Sequence, residues 1–254
     1  MAVATAGLAA FALSSNEPEP ALQPLSEVGD ADAVVVIELF TSQGCSSCPP
    51  ADRLLGELAQ KPGILALSHH VDYWDYLGWK DPYSSSTATE RQRAYAQRMN
   101  LRGLYTPQAV VDGRLETVGS RRTDVLQIIA ESLRQGRPQE TLMAVERGEE
   151  GFSIDVVRAD DAEVFLVEYL PEAKTQVPRG ENRGRTLTEH NVVTDWRSLG
   201  KIDEGGQVFF VQASKLDAQR AYAVIVQERG AGPILAAIKL NPSAATTPLE
   251  TASR

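Results

Sequence analysis

Apolar residues follow two different periods in the first part of the chain. Residues 34–40 are apolar or β-branched almost throughout and do not alternate, which predicts a strand covered on both faces. Residues 64–71 predict a second strand, parallel to the first if the helix between them is a right-handed crossover. That helix is predicted from apolar residues recurring at i, i+3, i+4, i+7 and i+8: Ala51, Leu54, Leu55, Leu58 and Ala59.

The segment that follows predicts a helix, a hairpin and a last helix. Residues 87–101 are polar and favour a helix, whereas residues 108–111 and 115–118 form two short strand patterns around Asp112-Gly113. An Asp-Gly pair between such patterns is a strong hairpin signal. The last helix is predicted from the apolar face Val125, Ile128, Ile129 and Leu133, ended by Gly136 and Pro138.

The character of the chain changes after residue 140, where no strong helical period remains. Short strand patterns separated by Gly, Asp and Pro turns predict an antiparallel sandwich or barrel. We therefore expect an α/β domain over residues 33–138, followed by a smaller, mainly antiparallel, sandwich-like β domain over residues 139–240. The candidate strands are residues 152–157, 164–170, 191–195, 208–212 and 222–226.

Both ends of the chain differ from these domains. Residues 2–13 are small and apolar and precede a Pro-rich stretch, so residues 1–32 resemble an export signal and its lead, although no Lys or Arg precedes the apolar core. We expect a periplasmic or secreted protein. No other run reaches the ~20 apolar residues of a membrane span. The Ser/Thr/Ala/Pro-rich residues 241–254 predict a disordered tail.

Composition and charge limit the classes of partner that the protein can bind. The 254 residues are 43% hydrophobic and 23% charged, which is typical of a globular protein. The formal net charge of −9 weighs against nucleic acid or an anionic membrane as a partner. Nothing in the sequence indicates an oligomeric state.

The chain has only two cysteines, Cys45 and Cys48, at the start of the predicted first helix. A thiolate there is favoured by unpaired N–H groups and the helix dipole, so Cys45 is the candidate attacking thiolate and Cys48 the resolving one. This chemistry needs no cofactor, and its partners are protein thiols and disulfides or a small thiol. The alternative is a non-catalytic binding module in which the pair is a structural bridge, although a four-residue ring would stabilise the fold by only about 2 kcal/mol.

The order of elements around the cysteines resembles a thioredoxin fold: strand, Cys-x-x-Cys helix, strand, helix, X-Pro, hairpin and helix. The segments FTSQGCSSCPPAD, HHVDYWDYLGWKDP and YTPQAVVDG also resemble the bacterial family DUF1223, whose members are thioredoxin-like. The resemblance implies a cis peptide bond at Thr106-Pro107, beside the disulfide. The Thr106 backbone would then be open to an extended substrate peptide.

The loop of residues 72–82 begins at the carboxyl end of a predicted parallel strand, the sheet edge at which α/β proteins bind ligands. It would flank the cysteines and contribute to substrate binding, with aromatic side chains as an apolar surface and carboxylates that tune proton transfer. Packing and turn formation are the alternative. The candidates are Asp72, Tyr73, Trp74, Asp75 and Trp79.

Three further patterns in the sequence concern metal, phosphate and charge. A copper or zinc site made of Cys45, Cys48 and His70 is an alternative function, because two thiolates and an imidazole can hold either metal. Residues 180–185 (GENRGR) lack the end of a phosphate-binding loop and predict a connection between strands. The arginines of the second helix predict an ordinary solvated face: Arg91, Arg93 and Arg98.

Overall fold

A large mixed sheet carrying few helices organises the chain. The computed structural model describes residues 34–136, 141 and 143–240, so the expectations for the export-like segment 1–32 and the tail 241–254 lie outside the described residues. The elements in chain order are β1 (Val35–Thr41), α1 (Pro49–Ala59), β2 (Ile64–His70), α2 (Ser86–Arg98), β3 (Gln108–Val111), β4 (Leu115–Val118), α3 (Arg122–Gln135), β5 (Met143–Arg147), β6 (Gly151–Val156), β7 (Ala162–Gln176), β8 (Thr186–Ile202), β9 (Gln207–Gln212), β10 (Ala221–Glu228) and β11 (Ile234–Leu240).

Strand β1 is buried along its whole length, as its unbroken apolar run predicts. It pairs in parallel with β2 and antiparallel with β3, which in turn pairs with β4. Because side chains alternate along a strand, Val35, Ile37 and Leu39 pack against α1 and α3 on one face. Val36 points to the other face, where it packs with residues of β10 and β11. The first half is therefore covered on both sides.

The two halves of the chain share one sheet. Strand β8 lies beside β2 and pairs with it in parallel at Ser68 and Val192, which gives the strand order β11-β10-β7-β8-β2-β1-β3-β4. A second sheet, β5-β6-β9, packs on β7 and β10 to form a separate antiparallel core, in which Phe152, Ile154 and Val164 are buried. The domain boundary between residues 138 and 139 stays a prediction.

Four of the five candidate strands of the second half fall within observed strands, and the fifth, 152–157, extends one residue beyond β6; two of the observed strands are much longer than predicted. β7 has 15 residues and β8 has 17, whereas β5 and β11 were not predicted. The excess length carries the β7–β8 turn back to the first half of the chain. No described helix is long and apolar enough to cross a membrane.

The prediction of a solvated arginine face is wrong for Arg91. Its side chain is only 9% exposed and forms a bidentate pair with Glu38 of β1, and its guanidinium lies 3.6 Å from the ring centroid of Trp196. Although burial alone would raise the pKa of Glu38, Arg91 and His69 together hold it well below its ordinary value. Arg91 is thus a structural counter-ion that joins α2, β1 and β8.

The Asp112-Gly113 hairpin is confirmed, and it contacts the β10–β11 loop. Both residues have positive φ, 48° and 65°, as two-residue hairpin turns require. The Asp112 carbonyl accepts a hydrogen bond from Ile234 N at 2.9 Å. A Cβ added to Gly113 would overlap the carbonyl oxygen of Gly232. The turn therefore fastens the first half of the chain to the second.

Gly113→Ala is expected to destabilise the protein by about 3 kcal/mol or more, because backbone strain at positive φ adds to the overlap with Gly232. Gly78→Ala is the matched control: Gly78 also has positive φ but faces open space, so a loss of about 1 kcal/mol is expected. Urea unfolding of the two variants measures the difference. Equal losses would contradict the proposed role of the Gly113 contact.

Candidate functional site

Cys45 and Cys48 form a disulfide at the amino end of α1, with their Cα atoms 5.5 Å apart. Cys48 is the N-cap residue, and its carbonyl accepts hydrogen bonds from Ala51 N and Asp52 N. Pro49 and Pro50 fill the first helical positions, where a missing N–H is tolerated. The predicted position of the pair at the start of a helix is confirmed.

The turn between β7 and β8, residues 177–185, which we call the strap, hydrogen-bonds the backbone at Cys45 and on both sides of it. Cys45 is 2% exposed and Cys48 is fully buried, although Ser46 and Ser47 between them are exposed. Asn182 of the strap, itself fully buried, donates from its side-chain amide to the carbonyls of Gln43 and Cys45, both at 2.9 Å. The contact between the strap and the backbone at Cys45 is therefore polar and hydrogen-bonded.

Gln43 connects the cysteine loop to three other parts of the chain. Its backbone N–H donates to Asp81 at 2.8 Å, and its side-chain amide donates to Glu189 of β8 at 3.0 Å. Its side-chain carbonyl accepts from the indole of Trp79 at 2.9 Å. With the bond from Asn182 included, all of the described polar groups of this buried residue have partners. The loop before Cys45 is thus rigidly held.

Two buried carboxyl groups belong to or contact the segment that carries the cysteines: Asp52 is part of α1, and Glu189 bonds Gln43. Asp52, one helical turn after Cys48, accepts a hydrogen bond from the Thr41 hydroxyl at 2.7 Å. Burial raises the pKa of Asp52 to about 7, against the opposing effects of the Thr41 bond and the charge of His70. Burial also raises the pKa of Glu189. The Asp52 carboxyl group is therefore disposed to carry a proton near neutral pH.

His70 and Asp81 form the charged pair of this cluster, with 2.7 Å between His70 Nδ1 and Asp81 Oδ2. Burial alone would lower the pKa of His70, but the carboxylates of Asp81, Glu189 and Asp52 together raise it to about 9. Although burial acts to raise the pKa of Asp81, the charge of His70 holds it below its ordinary value. The pair is thus ionised at neutral pH.

Two tryptophans of the 72–82 loop reach the cysteine loop. Trp74 lies against Gly44, since a Cβ added to Gly44 would be 3.0 Å from Trp74 Cβ, and its indole donates to Thr106 Oγ1 at 2.8 Å. The Thr106-Pro107 peptide bond is cis, as the resemblance implies. Pro107 lies near the first turn of α1, because a Cβ added to Gly119 would be 3.5 Å from both Pro107 Cβ and Ala51 Cβ.

The other predicted residues of this loop have partners within the loop or on α2. Asp72 accepts from the Thr89 hydroxyl at 2.6 Å, and Asp75 accepts from the Ser84 hydroxyl at 2.8 Å. The Tyr73 hydroxyl donates to Gln92 at 3.1 Å. Their proposed roles in substrate binding stay predictions, and their described contacts are those of turn formation and helix capping.

The metal alternative receives no support from the geometry. Within the described ranges, no group of three or more His, Cys, Asp or Glu side chains is arranged to hold a metal ion. His70 instead pairs with Asp81. The sulfurs of Cys45 and Cys48 are bonded to each other.

Several residues of the site were missed by the sequence analysis. Asn182 and Glu189 both bond Gln43, which lies more than 130 positions away, and no local pattern marks them. Residues 180–185 were predicted to connect strands, which they do, but their contact with the cysteines was not foreseen. Asp52 offered a local signal, since it lies on the helical face of Cys48 and has a charged side chain next to buried Ala51.

Comparisons with known proteins identify the family to which the chain belongs. A family model described as "Protein of unknown function (DUF1223)" matches residues 36–227, most of the chain. The chain belongs to the DUF1223 family. No curated protein matches the sequence significantly.

Two solved structures resemble this DUF1223 protein. The crystal structure of protein AGR_C_4864 from Agrobacterium tumefaciens is similar over 86% of this chain and 99% of that one, with 29% identity and a TM-score of 0.73. HBP35 of Porphyromonas gingivalis is similar over 89% of this chain and 81% of that one, with 13% identity and a TM-score of 0.53. At that identity the second likeness concerns the fold alone.

Asp52→Asn is expected to stabilise the protein at high pH. The pKa of Asp52 is about 7 in the folded protein against an ordinary value of 3.8, so its stabilising contribution is complete below about pH 3.8 and is lost as the pH rises to 7. Asparagine mimics the protonated acid and still accepts from Thr41. The gain in unfolding free energy should be below about 1 kcal/mol at pH 4 and about 4 kcal/mol at pH 8.5.

Urea unfolding at the two pH values measures this gain. Glu57→Gln, also on α1, is the control, and its effect should stay within about 0.5 kcal/mol because the Glu57–Arg122 pair is exposed. An Asp52→Asn protein less stable than the parent at pH 8.5 would contradict the assignment.

Proposed function

We propose that this DUF1223 protein is an exported thiol-disulfide exchange protein with a thioredoxin-like fold, whose working groups are Cys45 and Cys48. The observation that carries the proposal is a disulfide at the N-cap of a helix, with an ionisable carboxyl group one turn further along. Helix N-termini stabilise thiolates, and a nearby acid supplies or takes the proton that exchange requires.

The thioredoxin-like assignment is supported by topology. The strand order β2-β1-β3-β4, the parallel β1–β2 pair and the helix between them agree with the order of elements that the sequence predicts. The cis peptide bond before Pro107 agrees with the position at which such proteins bind an extended chain. Protein thiols and disulfides, or a small thiol, are the proposed partners.

The exchange balances as two displacements. A substrate thiolate attacks Sγ of Cys45, the Cys45–Cys48 bond breaks, and Cys48 leaves as a thiolate that takes a proton from Asp52. A second substrate thiolate then attacks the substrate sulfur of the mixed disulfide, and Cys45 leaves as a thiolate. The two protons that the substrate thiols release on ionising protonate Cys45 and restore the proton of Asp52. The substrate dithiol becomes a disulfide, having lost two electrons and two protons, and the protein becomes a dithiol. The reverse sequence oxidises the protein.

Burial of both cysteines favours a competing hypothesis, a structural bridge. A buried disulfide is shielded from thiolates, whereas exchange requires that one sulfur be reached. Against the bridge, a ring this short stabilises a fold little. Export is consistent with either hypothesis, because disulfides persist in oxidising compartments.

The Cys48→Ala variant distinguishes thiol-disulfide exchange from a structural bridge. If Cys45 exchanges with partners, the variant lacks the resolving thiol and accumulates mixed disulfides at Cys45, which are seen as reducible adducts on non-reducing gels and identified by mass spectrometry. We expect adducts with protein or small thiols when the variant is expressed with its natural leader. The Cys45→Ala/Cys48→Ala double variant is the control.

The outcome that supports a structural bridge is equally clear. A Cys48→Ala protein that is folded, retains a free Cys45 thiol and carries no adducts would refute exchange. A loss of stability of about 2 kcal/mol in both variants would then be expected, and urea unfolding measures it.

A further inference from the structure

The strap is a self-contained turn with few connections to the site. Its ends are joined by hydrogen bonds from Val177 N to Arg185 O and from Gly184 N to Val177 O, at 2.9 and 2.8 Å. Gly180 and Gly184 have positive φ, which lets the chain reverse direction. The turn can therefore keep its shape whether or not it rests on the cysteine loop.

The strap contacts the cysteine loop mainly through backbone groups of that loop. Asn182 donates to the carbonyls of Gln43 and Cys45, and the Glu181 carboxylate accepts from Ser46 N at 3.2 Å. The Asn182 amide oxygen accepts in turn from Arg185 at 3.0 Å, so the amide is held in this orientation. Carbonyl and N–H groups are also what an extended polypeptide bonds when it docks.

The remainder of the strap is polar and mostly exposed. Arg179, Glu181, Arg183 and Arg185 are all exposed, whereas Asn182 and Val177 are buried. A polar turn held by a few hydrogen bonds separates at modest free-energy cost, because water replaces those bonds. A turn that packed apolar side chains over the same sulfur would cost more free energy to open, because opening would expose those side chains to water.

We propose that the strap is a gate over the disulfide, with Asn182 as its latch, and that a polypeptide partner gains access to Cys45 by displacing it. This rests on the proposed exchange function and names its substrate class, an extended polypeptide segment that bonds the carbonyls of Gln43 and Cys45 in place of Asn182. Asn182 is a positioning residue, since it acts through the backbone around Cys45.

The test measures reduction of the oxidised, full-length chain by dithiothreitol, which loses two electrons and two protons to become a cyclic disulfide while Cys45 and Cys48 become thiols. Samples are quenched with an alkylating agent and the rate is read by mass. In Asn182→Ala two hydrogen bonds of the closed strap are lost, so the rate is expected to rise about tenfold or more. Glu181→Ala, at an exposed position, should raise it about two- to fivefold.

Asn191→Ala is the matched control. Asn191 of β8 also donates its side-chain amide to a backbone carbonyl, that of Ala66 at 2.8 Å, but it does not contact the strap. Because Asn191 has positive φ, alanine there also strains the backbone, so this control destabilises the protein at least as much. Its reduction rate should stay within about twofold of the parent chain.

Each result decides the proposal. Acceleration in Asn182→Ala without acceleration in Asn191→Ala supports the gate, whereas equal rates in Asn182→Ala and the parent, or equal acceleration in both variants, overturns it. If Asn182→Ala does not fold, the Glu181→Ala rate decides in the same way. If the gate proposal fails, Cys48→Ala can still form adducts. If Cys48→Ala forms no adducts, the reduction rates of the strap variants can still differ as expected. Failure of the gate proposal and failure of the exchange proposal are therefore distinguishable.

Discussion

The constraint on which the site depends is the hydrogen bonding of a buried loop. The backbone around Cys45 lies below the surface, and a buried carbonyl without a donor destabilises a fold by roughly 1 to 3 kcal/mol. Asn182 supplies donors to the carbonyls of Gln43 and Cys45. Those donors come from the far end of the β7–β8 hairpin, so the second half of the chain completes the site of the first.

This constraint explains why the strands of the hairpin are so long. β7 and β8 first pair with each other within the antiparallel core and then continue until β8 lies beside β2. Only the extra length brings the strap over α1. A hairpin of the predicted length would leave the Gln43 and Cys45 carbonyls without these donors, and Glu189 would not reach Gln43.

The elements themselves were predictable, because their signals are local. The unbroken apolar run of β1, the helical period of α1 and the Asp112-Gly113 turn all depend on neighbouring residues, and all are confirmed. The position of Cys45 and Cys48 at the start of α1 was predictable for the same reason. Their burial was not, because the covering residue lies 137 positions away.

The burial of charged residues is likewise not visible in the local sequence. Arg91 has the local surroundings of a surface residue on a polar helix. It lies mostly inside the protein because it pairs with Glu38, 53 positions earlier. Glu38 gives little local warning either, since it is one acid in an apolar strand. In the loop predicted to flank the cysteines, Trp74 bonds Thr106 and Trp79 bonds Gln43. Asp72 and Asp75 instead bond the hydroxyls of Thr89 and Ser84, at or before α2. Sequence patterns show which residues are charged, and tertiary contacts decide which charges are buried.

The polar nature of the cover connects burial with reactivity. A sulfur enclosed by leucines would be both buried and inert, because opening such a cover exposes apolar surface to water. The strap covers Cys45 through an amide and a carboxylate, whose partners are backbone groups that water or another polypeptide can satisfy. Low exposure in the closed structure is therefore compatible with exchange, provided that the equilibrium between closed and open strap lies within a few kcal/mol. Asn182, with its two donated bonds, sets much of that difference.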